Sequence, residues 1–342
     1  MTTIQGAADA TEADAESPKL SIVVPCFNES RNLPNLHGRC TAVARSVAGN
    51  SYELILVDDG SRDSTWQLMQ SLAAVDGHVV AARLSRNFGH QLALSAGLQL
   101  SCGDRVLIVD ADLQDPPELL PRMMEAMDRG NDVVYGRRKT RQGETWFKRA
   151  TAALFYRGLR LLTDVEIPMD AGDFRLVTRR VVILLAEMPE QHRFIRGMVS
   201  WIGLRQESVI YDRDERVHGT TSYSARRMLR LALDAVTSFS TRPLRIASLI
   251  GLGFSALGFV GVAYAIFGWA TGQTLPGWTS VIVVILLLGG IQLFVVGILG
   301  EYLGRLYLEA KRRPLYVIQE VVRTARLESV DHGPQAIPGF TE

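Results

Sequence analysis

A long carboxyl-terminal stretch without charged residues constrains the fold of this chain more than any other feature of its sequence. No Asp, Glu, Lys, Arg or His occurs between Arg245 and Glu301. The apolar segments at about 246–270 and 281–303 each reach the roughly 20 residues that a helix needs to cross a bilayer. A buried hairpin in a soluble core is the alternative, but two spans this long, separated only by TGQTLPGWTS, favour two transmembrane helices.

The charges that flank these spans predict their orientation. Arg242 and Arg245 precede the first span, Arg305 and the basic run 311–313 follow the second, and the connecting loop carries no charge. Cytoplasmic loops are enriched in Lys and Arg, so we expect both termini and the domain before the spans to be cytoplasmic. Residues 1–18 lack a basic start and an apolar core, which predicts a disordered tail rather than a signal peptide.

Two basic segments are candidates for contact with the lipid surface. Segments 144–162 and 223–242 mix arginine and lysine with aliphatic and aromatic residues at helical spacing. Basic amphipathic helices of this kind can lie on anionic lipid, and ordinary surface helices packed on the domain are the alternative. The whole chain has a formal net charge of only +1, which gives no support to a nucleic-acid partner.

The amino-terminal half alternates short β-rich runs with helical patterns. Nearly continuous Val, Ile and Leu in these runs is typical of strands covered on both faces. The runs begin at Leu20, Tyr52, Val79, Asp104 and Asp132, and the candidate helices begin near Asn32, Thr65, Gln91 and Pro117. This alternation predicts an α/β domain with a mostly parallel sheet, whose ligands lie at the carboxyl ends of the strands.

Carboxylates follow the apolar run that ends at Val109. In VDADLQDPPE, strand alternation places Asp110 and Asp112 on the same side of the chain, and Gln114 follows two positions later. Hard oxygen ligands suit Mg²⁺ or Mn²⁺, which keep water or substrate phosphate in their remaining positions. A pair of loop carboxylates without function is the alternative, but the position at a strand end favours a metal site.

Two further strand ends bring polar residues to the same predicted edge. Asp58 and Asp59 end one apolar run, while Pro25, Asn28 and Glu29 end another. No G-x-G-x-x-G follows the first run and no G-x-x-x-x-G-K-[ST] occurs in the chain. A nucleotide would therefore be bound differently from that of a Rossmann dinucleotide site or a P-loop.

The motifs taken in order resemble glycosyltransferase family 2, which has the GT-A fold. SIVVPCFNE, LVDDGSRDST, SRNFGHQLAL, VDADLQDPPE, VVYGRR and DAGDFRL carry this resemblance over about residues 20–180. With RFIRG, HGTTSYS and the two spans, the chain resembles the polyisoprenyl-phosphate glycosyltransferases, which include bactoprenol glucosyltransferases and dolichol-phosphate mannose synthases. The resemblance implies a GT-A domain at 19–222, an interfacial helix at 223–242, transmembrane helices within 243–304 and a cytoplasmic tail at 305–342.

The resemblance also implies roles for individual residues. The nucleotide-sugar would be bound by Pro25, Asn28, Glu29, Asp58, Asp59 and Asp110. The metal would be bound by Asp110, Asp112 and Gln114, and Asp112 and Asp173 would be the catalytic carboxylates that orient the acceptor. The acceptor phosphate would be bound by Arg138, Lys148, Arg149, Arg196, Ser222 and Tyr223. Ser222 stands where the family usually has lysine, and a solvated surface is the alternative for the basic residues.

The function implied by this resemblance is an inverting hexose transfer at the cytoplasmic face of a bacterial inner membrane. We expect UDP-glucose as donor, undecaprenyl or another polyprenyl phosphate as acceptor, Mg²⁺ or Mn²⁺ as cofactor, and a homo-oligomer, with a tetramer as one form. GDP-mannose is the alternative donor. A processive polysaccharide synthase is disfavoured because the chain lacks Q-x-x-R-W and has only two spans. A non-catalytic scaffold with a decayed domain is disfavoured by the intact carboxylates.

Overall fold

The computed structural model describes residues 17–139, 171–211, 240–271 and 277–324. These residues form a sheet covered by helices, followed by a pair of long helices. The predicted interfacial segment 144–162 and most of segment 223–242 lie outside the described residues. The same holds for the candidate phosphate-binding residues Lys148, Arg149, Ser222 and Tyr223.

The described strands and helices are numbered here in chain order. The strands are β1 Leu20–Cys26, β2 Tyr52–Asp58, β3 Val79–Leu84, β4 Arg105–Ile108, β5 Val133–Arg138, β6 Ala171–Thr178, β7 Gln206–Tyr211 and β8 Ile318–Arg323. The domain helices are α1 Leu33–Ala48, α2 Thr65–Val75, α3 His90–Leu100, α4 Leu120–Asp128, α5 Arg179–Glu187 and α6 Ile195–Ile202. A 3₁₀ turn at Pro117–Leu119 leads into α4, and the long helices are α7 Arg242–Ala270 and α8 Trp278–Ala310.

The eight strands form one mixed sheet in the order β7-β5-β6-β4-β1-β2-β3-β8. Strands β6 and β8 pair antiparallel with their neighbours, and the other pairings are parallel. The predicted strands correspond to β1–β5, and the expectation of a mostly parallel α/β sheet is confirmed. The parallel centre directs the carboxyl ends of β1, β2, β3 and β4 to one edge, which is where the sequence concentrates its polar residues.

Apolar side chains are buried on both faces of this sheet. Alternate residues of β1 divide between two cores, with Ile22 facing the side of α1, α2 and α4. Val23 faces the opposite side, where α3, α5 and α6 pack. The domain is therefore a three-layer sandwich, which explains why its strands read as continuous apolar runs.

The segment after α8 returns to the domain and ends the sheet. Strand β8 pairs antiparallel with β3, from Val80 opposite Arg323 to Leu84 opposite Ile318. The Ser85 N–H donates to the Val317 carbonyl (2.9 Å) just before this pairing begins. The segment 305–342, expected as a tail, thus includes the last turns of α8 and an edge strand. Both ends of the long helix pair are joined to the same domain.

Helices α7 and α8 are long and apolar enough to cross a membrane. They contain 29 and 33 residues, or about 43 and 50 Å of helix. Their apolar side chains face outward, with Phe259 77% exposed and Leu293 74% exposed. This exposure contradicts the alternative of a buried hairpin in a soluble core. At the domain end of the pair, the Tyr302 hydroxyl donates to the Ser240 carbonyl (2.6 Å).

Two helical glycines give a matched test of the packing between α3 and the sheet. A Cβ on Gly97 would lie 2.3 Å from Val23 Cγ1, whereas a Cβ on Gly38 of α1 would meet nothing within 4 Å. Gly97→Ala is expected to lower the free energy of unfolding by about 1–3 kcal/mol because the core must shift. Gly38→Ala is expected to raise it by about 0.5–1 kcal/mol. Thermal unfolding of both variants checks this, and a stabilised Gly97→Ala protein would contradict the packing.

Candidate active site

The register of β4 and β6 brings two carboxylates together at the carboxyl edge of the sheet. Ile108 pairs with Arg175 in this antiparallel ladder. Asp110 lies two residues beyond the end of β4, and Asp173 lies two residues before Arg175 in β6, so the register brings both to the same edge of the sheet. The charge of Asp173 raises the pKa of Asp110, so these carboxylates repel each other unless a cation lies nearby.

His90, the first residue of α3, supplies such a cation. Its Nε2 atom lies 3.3 Å from Asp173 Oδ2 and 3.5 Å from Asp110 Oδ1. Burial opposes the charged imidazolium, but the hydrogen bond to Asp173 and the charges of Asp110, Asp173 and Asp59 outweigh it and raise the pKa of His90 to about 9. His90 is therefore an imidazolium at neutral pH that bridges the two strands.

Asp173 is also bound by two side chains from α3 and α6. Gln91 Nε2 donates to Asp173 Oδ2 (2.9 Å), and Arg196 Nη2 donates to Asp173 Oδ1 (3.2 Å). The other end of the same amide, Gln91 Oε1, accepts from the Ile195 N–H (2.9 Å). Burial raises the pKa of Asp173, but the hydrogen bond from His90 and the charges of Arg196 and Arg175 hold it well below its usual value. Asp173 is thus an anionic centre around which α3 and α6 are fixed.

Arg175 adds a buried positive charge beside this centre. It is only 3% exposed, and its Nη2 donates to the Gly172 carbonyl (3.1 Å). Burial lowers the pKa of Arg175 to about 10, with the nearby Asp173 charge opposing that shift. Its guanidinium stays charged at neutral pH and contributes to the positive field around Asp173.

The loop after β4 holds the predicted metal ligands in a constrained conformation. Asp112 Oδ1 accepts from the Gln114 N–H (3.2 Å), and Leu113 between them has φ of +56°. A left-handed conformation is uncommon for a residue other than glycine and indicates that the surrounding structure imposes it. Below the loop, the Tyr211 hydroxyl of β7 donates to the buried Asp115 carboxylate. The loop is therefore anchored to the far edge of the sheet.

This loop has the donor chemistry of a divalent cation site. Asp110 Oδ1 is buried and accepts no hydrogen bond. Burial raises the pKa of Asp110 to about 6, with the charges of Asp173, Asp115 and Asp112 adding to the effect and His90 opposing it. A bound cation would relieve this clustering of negative charge. Within the described ranges, no three His, Cys, Asp or Glu side chains form a complete metal-binding group, so a cation here would need further oxygen ligands, such as Gln114, water or substrate.

The loops after β1 and β2 form a shelf beside the carboxylates. The Asn28 N–H donates to Ser61 Oγ (2.9 Å), and Asn28 Oδ1 accepts from the Arg62 N–H (2.9 Å). The Glu29 N–H donates to Thr65 Oγ1 (2.9 Å). Asn28 also has a left-handed backbone, with φ of +56°. These bonds join the two loops into one surface, with Asn28 exposed and Pro25 buried beneath it.

The Asp58–Asp59 pair binds the protein itself rather than facing solvent. Asp58 is fully buried, its Oδ1 accepts from the Ser61 N–H (3.0 Å), and its Oδ2 lies 3.4 Å from Arg83 Nε. Asp59 accepts from the N–H groups that precede α3, those of Phe88 (2.7 Å) and Gly89 (2.9 Å). Asp59 therefore fixes the start of the helix that carries His90.

The structure gathers most of the predicted site along one edge. Pro25, Asn28, Glu29, Asp58, Asp59, Asp110, Asp112, Gln114, Asp173 and Arg196 all lie at or beside the carboxyl ends of β1, β2 and β4. Arg138 is the last residue of β5. Sequence reasoning gave no role to His90, Gln91, Arg175 or Tyr211. The sequence feature that could have identified His90 and Gln91 is their position directly after SRNFG, at the start of a helix that follows a strand.

Comparison with known proteins identifies the family. The sequence of the family described as "Glycosyl transferase family 2" matches residues 21–184 of the chain. The sequence of the family described as "GtrB C-terminal hairpin" matches residues 242–306. An uncharacterized glycosyltransferase of Bacillus subtilis (strain 168), YkcC, is 44% identical over 88% of this chain and 93% of its own length. The chain belongs to glycosyl transferase family 2. The resemblance drawn from the motifs is confirmed, and the chain is a glycosyltransferase.

Other relatives of the transferase have more specific names. A prophage bactoprenol glucosyl transferase homolog of Escherichia coli (strain K12) is 39% identical over 89% of this chain and 99% of its own length. The bactoprenol glucosyl transferase of Shigella phage SfX is 39% identical over 88% of this chain and 99% of its own length. Among solved structures, S. aureus TarS 1–349 in complex with UDP-GlcNAc has a TM-score of 0.44 and 16% identity, covering 64% of the transferase and 66% of that chain. A similarity this low carries no functional argument.

The contacts of Gln91 give a direct test of the site. Gln91→Met keeps the size of the side chain but removes both hydrogen bonds, so Asp173 and the start of α6 lose their shared anchor. The hydrogen bond to the ionised Asp173 is worth about 1.5–3 kcal/mol and the neutral one to the Ile195 N–H about 0.5–1.5 kcal/mol, so the rate of glycosyl transfer is expected to fall at least tenfold. Gln67→Met, at an exposed glutamine of α2, is the matched control and should stay within about twofold of wild type. A wild-type rate for Gln91→Met would contradict this role.

Proposed function

We propose that the transferase moves a hexose from a nucleotide-sugar to a polyprenyl phosphate in the membrane, with inversion at the anomeric carbon. UDP-glucose and undecaprenyl phosphate are the proposed substrates, because relatives named bactoprenol glucosyl transferase match over almost their entire length. The observation that carries the proposal is a cluster of carboxylates and basic side chains in a domain joined at both ends to an apolar helix pair. Such a domain can bring a water-soluble donor to a lipid acceptor.

The acceptor phosphate needs little chemical activation. The second pKa of a phosphate monoester is about 6, so at neutral pH the lipid phosphate is largely a dianion. It attacks the anomeric carbon, while its charge is held by the positive field of Arg196, Arg175 and His90. Asp173 acts mainly through Arg196, whose guanidinium it orients. No nucleophilic triad or strong general base is required.

The donor diphosphate would lie over the loop that follows β4. Mg²⁺ or Mn²⁺ held there by Asp110, Asp112 and Gln114 would neutralise the leaving nucleoside diphosphate. Asn28 and Glu29 on the neighbouring shelf are proposed to contact the nucleotide. Asp58 and Asp59 are proposed to shape that pocket from beneath, since their carboxylates bind Ser61, Phe88 and Gly89.

Substitution of the loop carboxylates tests the metal and the activity together. Asp110→Asn and Asp112→Asn are each expected to reduce transfer at least a hundredfold while leaving the protein folded, because each removes ligand charge at a surface cleft and opens no cavity. Transfer from labelled UDP-glucose and GDP-mannose to undecaprenyl phosphate, with and without EDTA, measures this. Full activity in EDTA would exclude the metal. Transfer from GDP-mannose but not from UDP-glucose would identify mannose as the transferred sugar. If the protein neither hydrolysed nor transferred sugar from either donor, it would be non-catalytic.

We also propose that the transferase crosses the bacterial inner membrane twice, with both termini cytoplasmic. Strand β8 supports this, because residues on both sides of the helix pair share one sheet and must lie on one side of the bilayer. The basic residues that flank the helices support the cytoplasmic side. The proposed homo-oligomer rests on family resemblance alone.

Reporter fusions test this topology. A reporter after Glu342 should register as cytoplasmic, and one inserted at Thr274, between the two helices, should register on the far side of the membrane. The charge asymmetry around the helices is the reason. A cytoplasmic signal from Thr274 would mean that the helices do not cross the bilayer.

A further inference from the structure

The cytoplasmic end of α8 is hydrogen-bonded to the loop that leads into the active site. Glu309 Oε1, one residue before the end of α8, accepts from the Gln191 N–H (2.7 Å). The Gln191 side chain reaches the segment that follows α8, since its Nε2 donates to the Arg313 carbonyl (2.9 Å). Gln191 is thus joined to the last turn of α8 through its backbone and to the next residues of the chain through its side chain.

The same loop continues directly into the positive side of the active site. Arg196 lies five positions after Gln191, so their Cα atoms lie within about 17 Å of each other. The Ile195 N–H donates to Gln91 Oε1, and Arg196 donates to Asp173. The segment 191–196 is therefore held by the apolar helix pair at one end and by the catalytic carboxylates at the other.

This junction lies close to the expected outer edge of the lipid headgroups. Glu301 is the first charged residue after the apolar stretch, which places the boundary of the hydrocarbon layer near it. Eight residues of helix separate it from Glu309, a rise of about 12 Å. The headgroup layer adds about 5–8 Å on each side of the hydrocarbon core. For a helix along the membrane normal, Glu309 and Gln191 therefore lie about 4–7 Å beyond the headgroup layer that holds a lipid phosphate.

Other contacts prevent the end of α8 from moving independently of the domain. The Tyr316 hydroxyl donates to Gln99 Oε1 at the far end of α3. Val317 accepts from the Ser85 N–H, and β8 then pairs with β3. Since α8 is fixed both here and at Gln191, its last turn can set the height of the domain above the bilayer.

We propose that Glu309 and Gln191 form a junction that holds the Arg196 side of the active site at the headgroup layer. Glu309 is then a positioning residue for an acceptor that cannot leave the bilayer, and it takes no part in the chemistry. The inference rests on the proposed transfer to a polyprenyl phosphate. It goes further by predicting that loss of Glu309 affects a membrane-embedded acceptor and spares a water-soluble one.

The test compares two acceptors on one preparation of the full-length transferase in phospholipid vesicles. One acceptor is undecaprenyl phosphate in the vesicles, and the other is a short-chain prenyl phosphate dissolved in the buffer. Glu309→Ala should lower kcat/KM for the embedded acceptor roughly tenfold, the loss expected for one charge-assisted hydrogen bond. It should change kcat/KM for the soluble acceptor, and the affinity for the donor, by less than about twofold. Adding Gln191→Ala should deepen only the loss with the embedded acceptor.

Two further variants separate positioning from general damage. Glu309→Gln keeps an oxygen that can accept from the Gln191 N–H and should restore most of the embedded-acceptor activity. Glu301→Ala removes a carboxylate of the same helix whose ion pair is with Arg305, one turn further along, and it should match wild type. Equal losses on both acceptors, or no loss on either, would overturn the positioning role. Failure of the wild-type protein to use either phosphate would instead overturn the proposed function.

Discussion

The repulsion between Asp110 and Asp173 is the constraint on which the rest of this site depends. Asp110 Oδ1 and Asp173 Oδ2 both lie within 3.5 Å of His90 Nε2, so the two carboxylates are close enough for their negative charges to repel each other. The register of β4 and β6 fixes them as neighbours, so the fold must provide compensating charge. His90 comes from α3 and Arg196 from α6, so two of the three helices on that face of the sheet are held by the same pair of acids.

The charge compensation by His90 and Arg196 connects the proposed nucleotide pocket with the end of the domain that contacts α8. Asp59, beneath the shelf, fixes the start of α3 through the Phe88 and Gly89 N–H groups. Gln91 then joins Asp173 to the start of α6, and the preceding loop contacts the end of α8. A single chain of hydrogen bonds and ion pairs thus runs from the proposed nucleotide pocket to the apolar helix pair. Such a connection suits an enzyme whose two substrates arrive from different phases.

The sequence predicted the parts of the fold that depend on local pattern. Strands β1 to β5 were predicted because they are buried on both faces, and α7 and α8 because no charged residue lies between Arg245 and Glu301. Strand β6 was not predicted because Asp173 and Arg175 interrupt its apolar residues, and their burial depends on partners far away in the chain. Strand β8 was not predicted because its pairing with β3 joins segments separated by more than 200 residues.

The site was predicted as a set of residue types at strand ends, but not as a set of contacts. Asp110, Asp112 and Asp173 lie where the motifs indicated, whereas Asp59 binds backbone N–H groups that no motif could reveal. His90 was missed because a histidine at a helix start is common, and its importance comes from the β4–β6 register. Asp173 and Arg196 were both assigned to the acceptor, but their hydrogen bond to each other could not be read from the motifs.

The most direct test of this charge arrangement is Mn²⁺ binding in the presence of the nucleotide-sugar, followed by electron paramagnetic resonance. A site that is negative apart from His90 and the neighbouring arginines should take up one Mn²⁺ per chain. Asp112→Asn should weaken that binding at least tenfold because it removes a ligand and a charge. Wild-type binding of Mn²⁺ by Asp112→Asn, or no binding by the wild-type protein, would contradict the proposed cation site at the end of β4.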